Sequence, residues 1–167
     1  MSYDKKGKIL LLSALRQNQT DIFTFGVVGH KLTNITNDKF LDLHPCFSPN
    51  NEFIIFSSNR KGDILYEESQ VFSHNKTNDL FLYNYKTESP KLLRLTNTPE
   101  INETNPKPIK DNLYWFLADE NGLNNRFSVK IDSVKVETDT SIFYQKNFTI
   151  SPFTNYNRDI ICFDTKP

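Results

Sequence analysis

The hydrophobic residues of this chain fall into short runs that are separated by turn-forming residues. Residues 21–25 and 79–85 alternate apolar and polar side chains, which is typical of half-buried β-strands. Residues 53–56 and 113–118 are almost continuously apolar, as strands covered on both faces are. Phe is abundant at 14 copies and glycine is rare at 5 copies, and Thr, Val and Ile fill the apolar runs. The pattern therefore predicts an all-β fold.

A longer pattern of polar and apolar positions occurs twice in the same order, about sixty residues apart. The first copy comprises Leu32-Thr33, Asp42, Pro45, Phe47, Ser48-Pro49 and the apolar residues 53–56. The second copy comprises Leu95-Thr96, Glu103, Pro106, Asp111-Asn112 and residues 113–117. Within the first copy, Asn50-Asn51 predicts a two-residue hairpin turn, because asparagine tolerates a positive φ.

Four repeat units follow from this order, at residues 8–42, 43–103, 104–143 and 144–167. Repeats of about 40–45 residues with four strands each are typical of β-propellers. We therefore expect residues 1–167 to form one segment of a β-propeller, a partial propeller with about three and a half four-stranded antiparallel blades. The first unit is expected to lack its innermost strand, and residues 159–163 to form the interior strand of the fourth unit. A β-sandwich is the alternative, since it also uses short strands and regular turns.

These residues resemble the repeats of the TolB-type propellers, a family related to the WD-repeat proteins. Besides the pattern above, the resemblance rests on Ser58-Asn59-Arg60, Asp79-Leu80-Phe81, Arg16 and Asp21-Ile22-Phe23. It implies a propeller of about six or more blades, of which this chain would be a piece. It also implies a periplasmic or cell-envelope location, although we recognise no signal peptide at the start of the sequence.

The net charge and the length of the apolar runs restrict the classes of partner, and the cysteine positions bear on a possible disulfide. Lys plus Arg equals Asp plus Glu at 20 each, so no net charge favours nucleic acid as a partner. No apolar run approaches the ~18–20 residues that a membrane span requires. Cys46 and Cys162 lie far apart in the sequence, and we interpret them as two buried or half-buried thiols, with a disulfide as the alternative.

The sequence predicts no catalytic residue, no cofactor site and no metal site. The pairs Arg16 with Asp21 and Arg60 with Asp79 are interpreted as exposed ion pairs that tie adjacent strands together. Residues 119–121 are interpreted as a polar hairpin tip rather than a cation site. The three histidines lack metal-ligand spacing, and no nucleophile elbow or phosphate-binding glycine loop is present.

The best candidate for a functional segment is an insertion at residues 61–78 of the second unit, because long insertions in regular repeats often bind partners. Its aromatic and charged residues are predicted to contact a protein or peptide partner: Tyr66, Glu67, Glu68, Phe72 and His74. We therefore expect a non-enzymatic protein-binding or scaffold module of a bacterial envelope assembly. The alternative is the propeller portion of a serine peptidase, and a weaker third hypothesis is a propeller that binds sugars. Association through exposed strand edges is also expected.

Overall fold

The computed structural model describes residues 1–66, 76–137 and 142–165. These residues form three four-stranded antiparallel sheets whose strands pair in chain order. The first sheet contains β1 (Ser2–Tyr3), β2 (Ile9–Arg16), β3 (Gln19–Gly26) and β4 (Leu32–Asn34). The second contains β5 (Asp42–Phe47), β6 (Phe53–Ser58), β7 (Asp79–Asn84) and β8 (Leu93–Arg94). The third contains β9 (Glu103–Lys110), β10 (Leu113–Ala118), β11 (Asn125–Glu137) and β12 (Ile142–Pro152).

The second sheet lies between the other two and buries both of its faces. Alternation along β6 directs Ile54 and Phe56 toward a hydrophobic cluster shared with the first sheet, while Ile55 enters a cluster shared with the third sheet. The first cluster includes Leu11 and Ile22, which are fully buried. This double coverage explains the continuous apolar run at residues 53–56 of β6. The all-β class and the partial propeller predicted from the sequence are confirmed.

The structure corrects three strand assignments. The first sheet does have an innermost strand, but β1 is only 2 residues long and carries no apolar run. Residues 142–150 belong to β12, which pairs with β11 from Glu137–Ile142 to Phe127–Pro152 and so completes the third sheet. Residues 159–163 do not form a strand. The Ser151-Pro152 pair resembles a hairpin turn in the sequence but lies within an outer strand.

The hairpin between β5 and β6 is wider than predicted. The backbone N–H of Ser48 donates to the carbonyl of Phe53 over 2.9 Å, so the loop comprises residues 49–52. Asn51 has the expected positive φ of 60°. The turn also contacts its neighbours, since the N–H of Asn50 donates to the Asp111 carboxylate over 3.0 Å and the N–H of Lys5 donates to the Asn51 side chain over 3.2 Å.

The two thiols lie in different environments, so the interpretation as two covered thiols is right only for Cys46. Its Sγ donates to the carbonyl of Pro106 over 3.1 Å inside the contact between β5 and β9. Burial raises the pKa of this thiol to about 12, whereas Cys162 is exposed. Both cysteines are free, without a disulfide between them.

Thiol labelling measures this difference. At neutral pH, a thiol-reactive dye should label one equivalent rapidly at Cys162 and a second only after denaturation, because the thiolate is the reactive form. The Cys162→Ser variant should lose the fast phase entirely. Rapid labelling of two thiols in the folded wild-type chain would contradict the position of Cys46.

No described segment forms a helix of the length and apolarity needed to cross a bilayer.

Candidate functional site

The same hydrogen-bonded junction recurs in all three sheets, near the start of the third strand and where the chain leaves the fourth. A Thr hydroxyl accepts a backbone N–H of the third strand, from Ile22 to Thr36, from Leu80 to Thr96 and from Arg126 to Thr154, over 3.1, 2.8 and 2.9 Å. The donor is the fourth residue of β3 and the second residue of β7 and of β11. The residue before that N–H is Asp21, Asp79 or Asn125, and its side chain accepts hydrogen bonds from the departing segment. The junction thus fixes the direction in which each sheet leads to the next.

This junction changes the alignment of the repeats. The sequence pattern matched Leu32-Thr33 with Leu95-Thr96, but Thr33 is exposed and Thr36 is fully buried. The N–H groups of Ile35 and Leu95 both donate to the third strand, over 2.8 Å in each case. Ile35-Thr36 is therefore the structural counterpart of Leu95-Thr96.

Arg60 forms a buried ion-pair centre between the first and second sheets. One guanidinium nitrogen lies 2.7 Å from the carboxylate of Asp42, the other terminal nitrogen lies 3.0 Å from Asp38, and Nε donates to the Ser58 hydroxyl over 2.9 Å. The guanidinium also lies over the rings of Phe40, Phe56 and Phe81. Arg60 is fully buried. The predicted exposed pair with Asp79 is therefore wrong.

The other predicted partners also pair differently. Asp79 forms its ion pair with Arg94, which lies across the β7–β8 ladder. Asp21, expected to pair with Arg16, accepts hydrogen bonds from the side chains of Asn34 and Thr36. These partners come from segments that are distant in sequence, so spacing alone could not identify them.

Three carboxylates at the Arg60 centre lie close enough to hold a metal ion, but the guanidinium already pairs with two of them, Asp38 and Asp42. The ligand oxygens of Asp21, Asp38 and Asp42 lie within 4.8 Å of one another. Burial raises the pKa of Asp38 to about 6, the Arg60 charge opposes this rise and the Asp42 charge adds to it. We interpret the centre as a structural tie between two sheets.

The corresponding position between the second and third sheets has a carboxyl group without a guanidinium. Glu103 pairs with Ala118 across the β9–β10 ladder, as Asp42 pairs with Ser58. The residue two positions past Ala118 is the exposed Glu120, where the second sheet has Arg60. The hydroxyls of Thr96 and Thr98 donate to Glu103 instead. Burial raises the pKa of Glu103 to about 8.

A cavity of about 300 Å³ lies between the inner strands of the three sheets, and we call it the inner-strand cavity. It is lined by residues 1–3, 44–47, 105–108 and 164–165. His44 and Asn105 occupy equivalent bulged positions before Pro45 and Pro106, and both have a φ of 52°. The left-handed backbone at these bulges interrupts the ladder and shapes the cavity wall.

The inner-strand cavity combines an imidazole with an ammonium group. The Nδ1 atom of His44 is buried and has no hydrogen-bond partner among the described residues. Burial, followed by nearby positive charge, lowers the pKa of His44, so its ring is neutral at pH 7. The ammonium of Lys107 lies 3.7 Å from the carboxylate of Asp164, which belongs to the chain's last described segment. The cavity can therefore offer polar contacts to a backbone and a charge contact to a carboxylate.

The predicted binding residues of the insertion are only partly described. Tyr66 is 52% exposed, and its hydroxyl donates to the carbonyl of Ile35, so it reaches from the second unit to the first. Glu67, Glu68, Phe72 and His74 lie outside the described residues. The insertion begins beside the residues that lead into β8, where the N–H of Leu92 donates to the backbone carbonyl of Asp63 over 2.6 Å.

The sequence interpretation missed His44, Asn105 and Lys107 as site residues. A signal was available, because an X-Pro pair occurs at the same place in both copies of the repeat, as His44-Pro45 and Asn105-Pro106. The residue before a proline is restricted, and a repeated X-Pro pair marks a backbone irregularity.

Comparison with known proteins identifies structural neighbours of this chain. No family model and no curated protein matches the sequence. A protein assigned as TolB from Agrobacterium tumefaciens has a TM-score of 0.58 at 15% identity, and the match covers 89% of this chain and 46% of that protein. TolB from Acinetobacter baumannii has a TM-score of 0.58 at 14% identity, and the match covers 85% of this chain and 30% of that protein. The chain therefore has a TolB-type propeller fold and spans less than half the length of these two structures.

Proposed function

We propose that this chain is a non-enzymatic module that binds an extended peptide segment of a protein partner. The observation that carries the proposal is the inner-strand cavity, where the neutral ring of His44 and the ammonium of Lys107 face a space of about 300 Å³. A concave site with a few convergent polar groups is the usual form of a recognition site. In addition, Asp164 of the chain itself lies beside Lys107, as an acidic residue of a bound peptide would.

The strongly shifted acids and the buried thiol support binding rather than catalysis. Asp38, Glu103 and Cys46 have raised pKa values because they are buried between sheets. Asp38 binds Arg60, and Glu103 accepts hydrogen bonds from Thr96 and Thr98, so both acids are engaged within the fold. At neutral pH Cys46 is a protonated thiol rather than a nucleophile. The peptidase alternative stays a prediction, because its catalytic domain would lie outside this chain.

The partner and the location are proposals that follow from the fold. TolB-type neighbours make a bacterial envelope protein the expected kind of partner and the periplasm the expected compartment. We retain the insertion with Tyr66, Glu67, Glu68, Phe72 and His74 as a second contact surface for the same partner. Pairing through exposed strand edges remains a further prediction.

A peptide-display selection against the 167-residue chain tests this function. Peptides enriched on the wild type should bind the Lys107→Glu variant at least about tenfold more weakly, because the charge reversal repels an acidic residue. The matched control is Lys130→Glu, since Lys130 is an exposed lysine on β11 whose ammonium pairs with Asp132. The control should bind within about twofold of the wild type.

Two outcomes would contradict the proposal. The first is a selection that enriches no peptide over background. The second is a set of peptides whose affinity is the same for wild type, Lys107→Glu and Lys130→Glu. Loss of binding in Tyr66→Ala but not in Lys107→Glu would contradict the cavity as the site and assign binding to the insertion.

A further inference from the structure

A second cavity, of about 240 Å³, lies on the third sheet at the end where the inter-sheet connections run. We call it the third-sheet cavity. The residues that line it include Phe127, Asn125 and Glu120. Pro152 and Thr154 of the outer strand and its continuation close the other side.

The equivalent space on the second sheet is filled by the side chain of Arg94. Its guanidinium pairs with the Asp79 carboxylate, and its Nε donates to the carbonyl of Thr96 over 3.0 Å. A terminal nitrogen donates to the carbonyl of Lys61 over 3.2 Å. The guanidinium carbon lies 5.4 Å from the centre of the Phe81 ring. The Arg94 guanidinium is thus surrounded by a carboxylate, two backbone carbonyls and an aromatic ring, all of which attract a cation.

The residues around the two spaces correspond position by position. Phe81 opposes Arg94 across the β7–β8 ladder, and Phe127 opposes Pro152 across the β11–β12 ladder. Asp79 and Asn125 open the third strands, and Thr96 and Thr154 form the junction bonds described above. Pro152 is therefore the counterpart of Arg94, and the ring of a proline is too short to fill the space that arginine fills.

The first sheet has a different side chain at the same position. There Asn34 opposes Phe23 across the β3–β4 ladder, and its amide nitrogen donates to Asp21 over 2.9 Å. In both the first and the second sheets, a side chain of the outer strand thus supplies a donor to the acid of the third strand. In the third sheet the outer strand has Pro152 at this position, and the amide nitrogen of Asn125 donates to the carbonyl of Tyr156 over 3.3 Å. The third-sheet cavity lies where the outer-strand side chain of the other sheets would be.

We propose that the third-sheet cavity is a socket for the guanidinium group of an arginine presented by a partner protein. The guanidinium lies over Phe127 as that of Arg94 lies over Phe81, and it donates to the carbonyl of Thr154. Glu120 supplies the negative charge that Asp79 supplies in the second sheet. The partner protein follows from the proposed function, but the socket can be tested without it.

An NMR titration of the 167-residue chain with N-acetyl-argininamide tests the socket. Saturable shifts are expected at the Asn125 side-chain amide and at the backbone amides of Thr154 and Asn155. Asn125→Asp gives the third sheet an acid at the position that Asp79 has in the second sheet. It should tighten binding about tenfold, because charge-assisted hydrogen bonds are stronger than neutral ones. Glu120→Gln should weaken it by up to about fivefold, as expected for an exposed charge.

Pro152→Arg is the decisive variant, because it supplies the arginine from the chain itself. It should remove the saturable shifts while the remaining spectrum shows a folded protein. Absence of saturable shifts in the wild type would overturn the proposal, as would equal binding in Pro152→Arg. Equal affinity for N-acetyl-lysinamide would overturn the guanidinium assignment. None of these results bears on the inner-strand cavity, so failure here is distinguishable from failure of the proposed function.

Discussion

Replacing Arg60 with Ala is expected to lower the free energy of unfolding by about 3–5 kcal/mol. The guanidinium is fully buried and binds Asp38, Asp42 and Ser58. Its removal leaves two carboxylates between the sheets without a countercharge and also removes the cation that lies over the aromatic rings. Urea unfolding at pH 7 measures the loss, and the chain should unfold at a much lower urea concentration.

Arg158→Ala is the matched control, because Arg158 is exposed on the segment that follows β12. It should change the free energy of unfolding by less than about 0.5 kcal/mol. Arg60→Lys should give an intermediate loss, since an ammonium retains the charge but cannot reproduce the planar fork. Equal unfolding curves for Arg60→Ala and Arg158→Ala would contradict the structural role of the Arg60 centre.

Raising the pH is expected to destabilise the wild type through Glu103. Burial raises the pKa of this carboxyl group to about 8, hydrogen bonds from Thr98 and Thr96 oppose the rise, and the Asp79 charge adds to it. An unperturbed glutamate titrates near 4.5. Between these two values the folded chain holds one proton more than the unfolded chain, so the free energy of unfolding falls as the pH increases. The stabilisation is complete below about pH 4.5 and is lost as the pH passes about 8.

Glu103→Gln isolates this effect, because glutamine can still hydrogen-bond to Thr96 and Thr98 but does not titrate. Between about pH 6.5 and pH 9, the wild type should lose on the order of a few kcal/mol more than the variant. This interval lies above the raised pKa of Asp38 near 6, so that group contributes little to the difference. Glu100→Gln is the control at an exposed site. Parallel stability profiles for the wild type and Glu103→Gln would contradict the proton on Glu103.

The strands could be predicted from the sequence wherever burial on both faces produced an apolar run. Residues 53–58 and 113–118 match β6 and β10. The apolar run of β6 follows from its burial against both neighbouring sheets. In β10 one face enters the cluster shared with the second sheet, and the ring of Trp115 on the other face packs against Phe153. The long pairing of β11 and β12 could not be predicted in this way. Its outer part alternates weakly, so only the ladder from Glu137–Ile142 to Phe127–Pro152 reveals where it belongs.

The polar junctions could not be predicted from the sequence, for a different reason. Ile35-Thr36 and Leu32-Thr33 are both an apolar residue followed by Thr, and only the hydrogen bond from Ile22 to Thr36 distinguishes them. The partner of Arg60 likewise depends on the pairing of β5 with β6, which sets Asp42 opposite Ser58. Spacing along the chain does not encode that register. The inner-strand cavity could be identified only from the sequence and the fold together. The X-Pro pairs are visible in the sequence, but their convergence with Asp164 is not.

Mapping a selected peptide on the folded chain tests the central claim most directly. The measurement is an NMR titration of the 167-residue chain with a peptide enriched in the display selection. The account predicts the largest shifts at His44, Asn105 and Lys107, together with displacement of Asp164 from the Lys107 ammonium. Shifts confined to Tyr66 or to the third-sheet cavity, with the inner-strand residues unchanged, would contradict it.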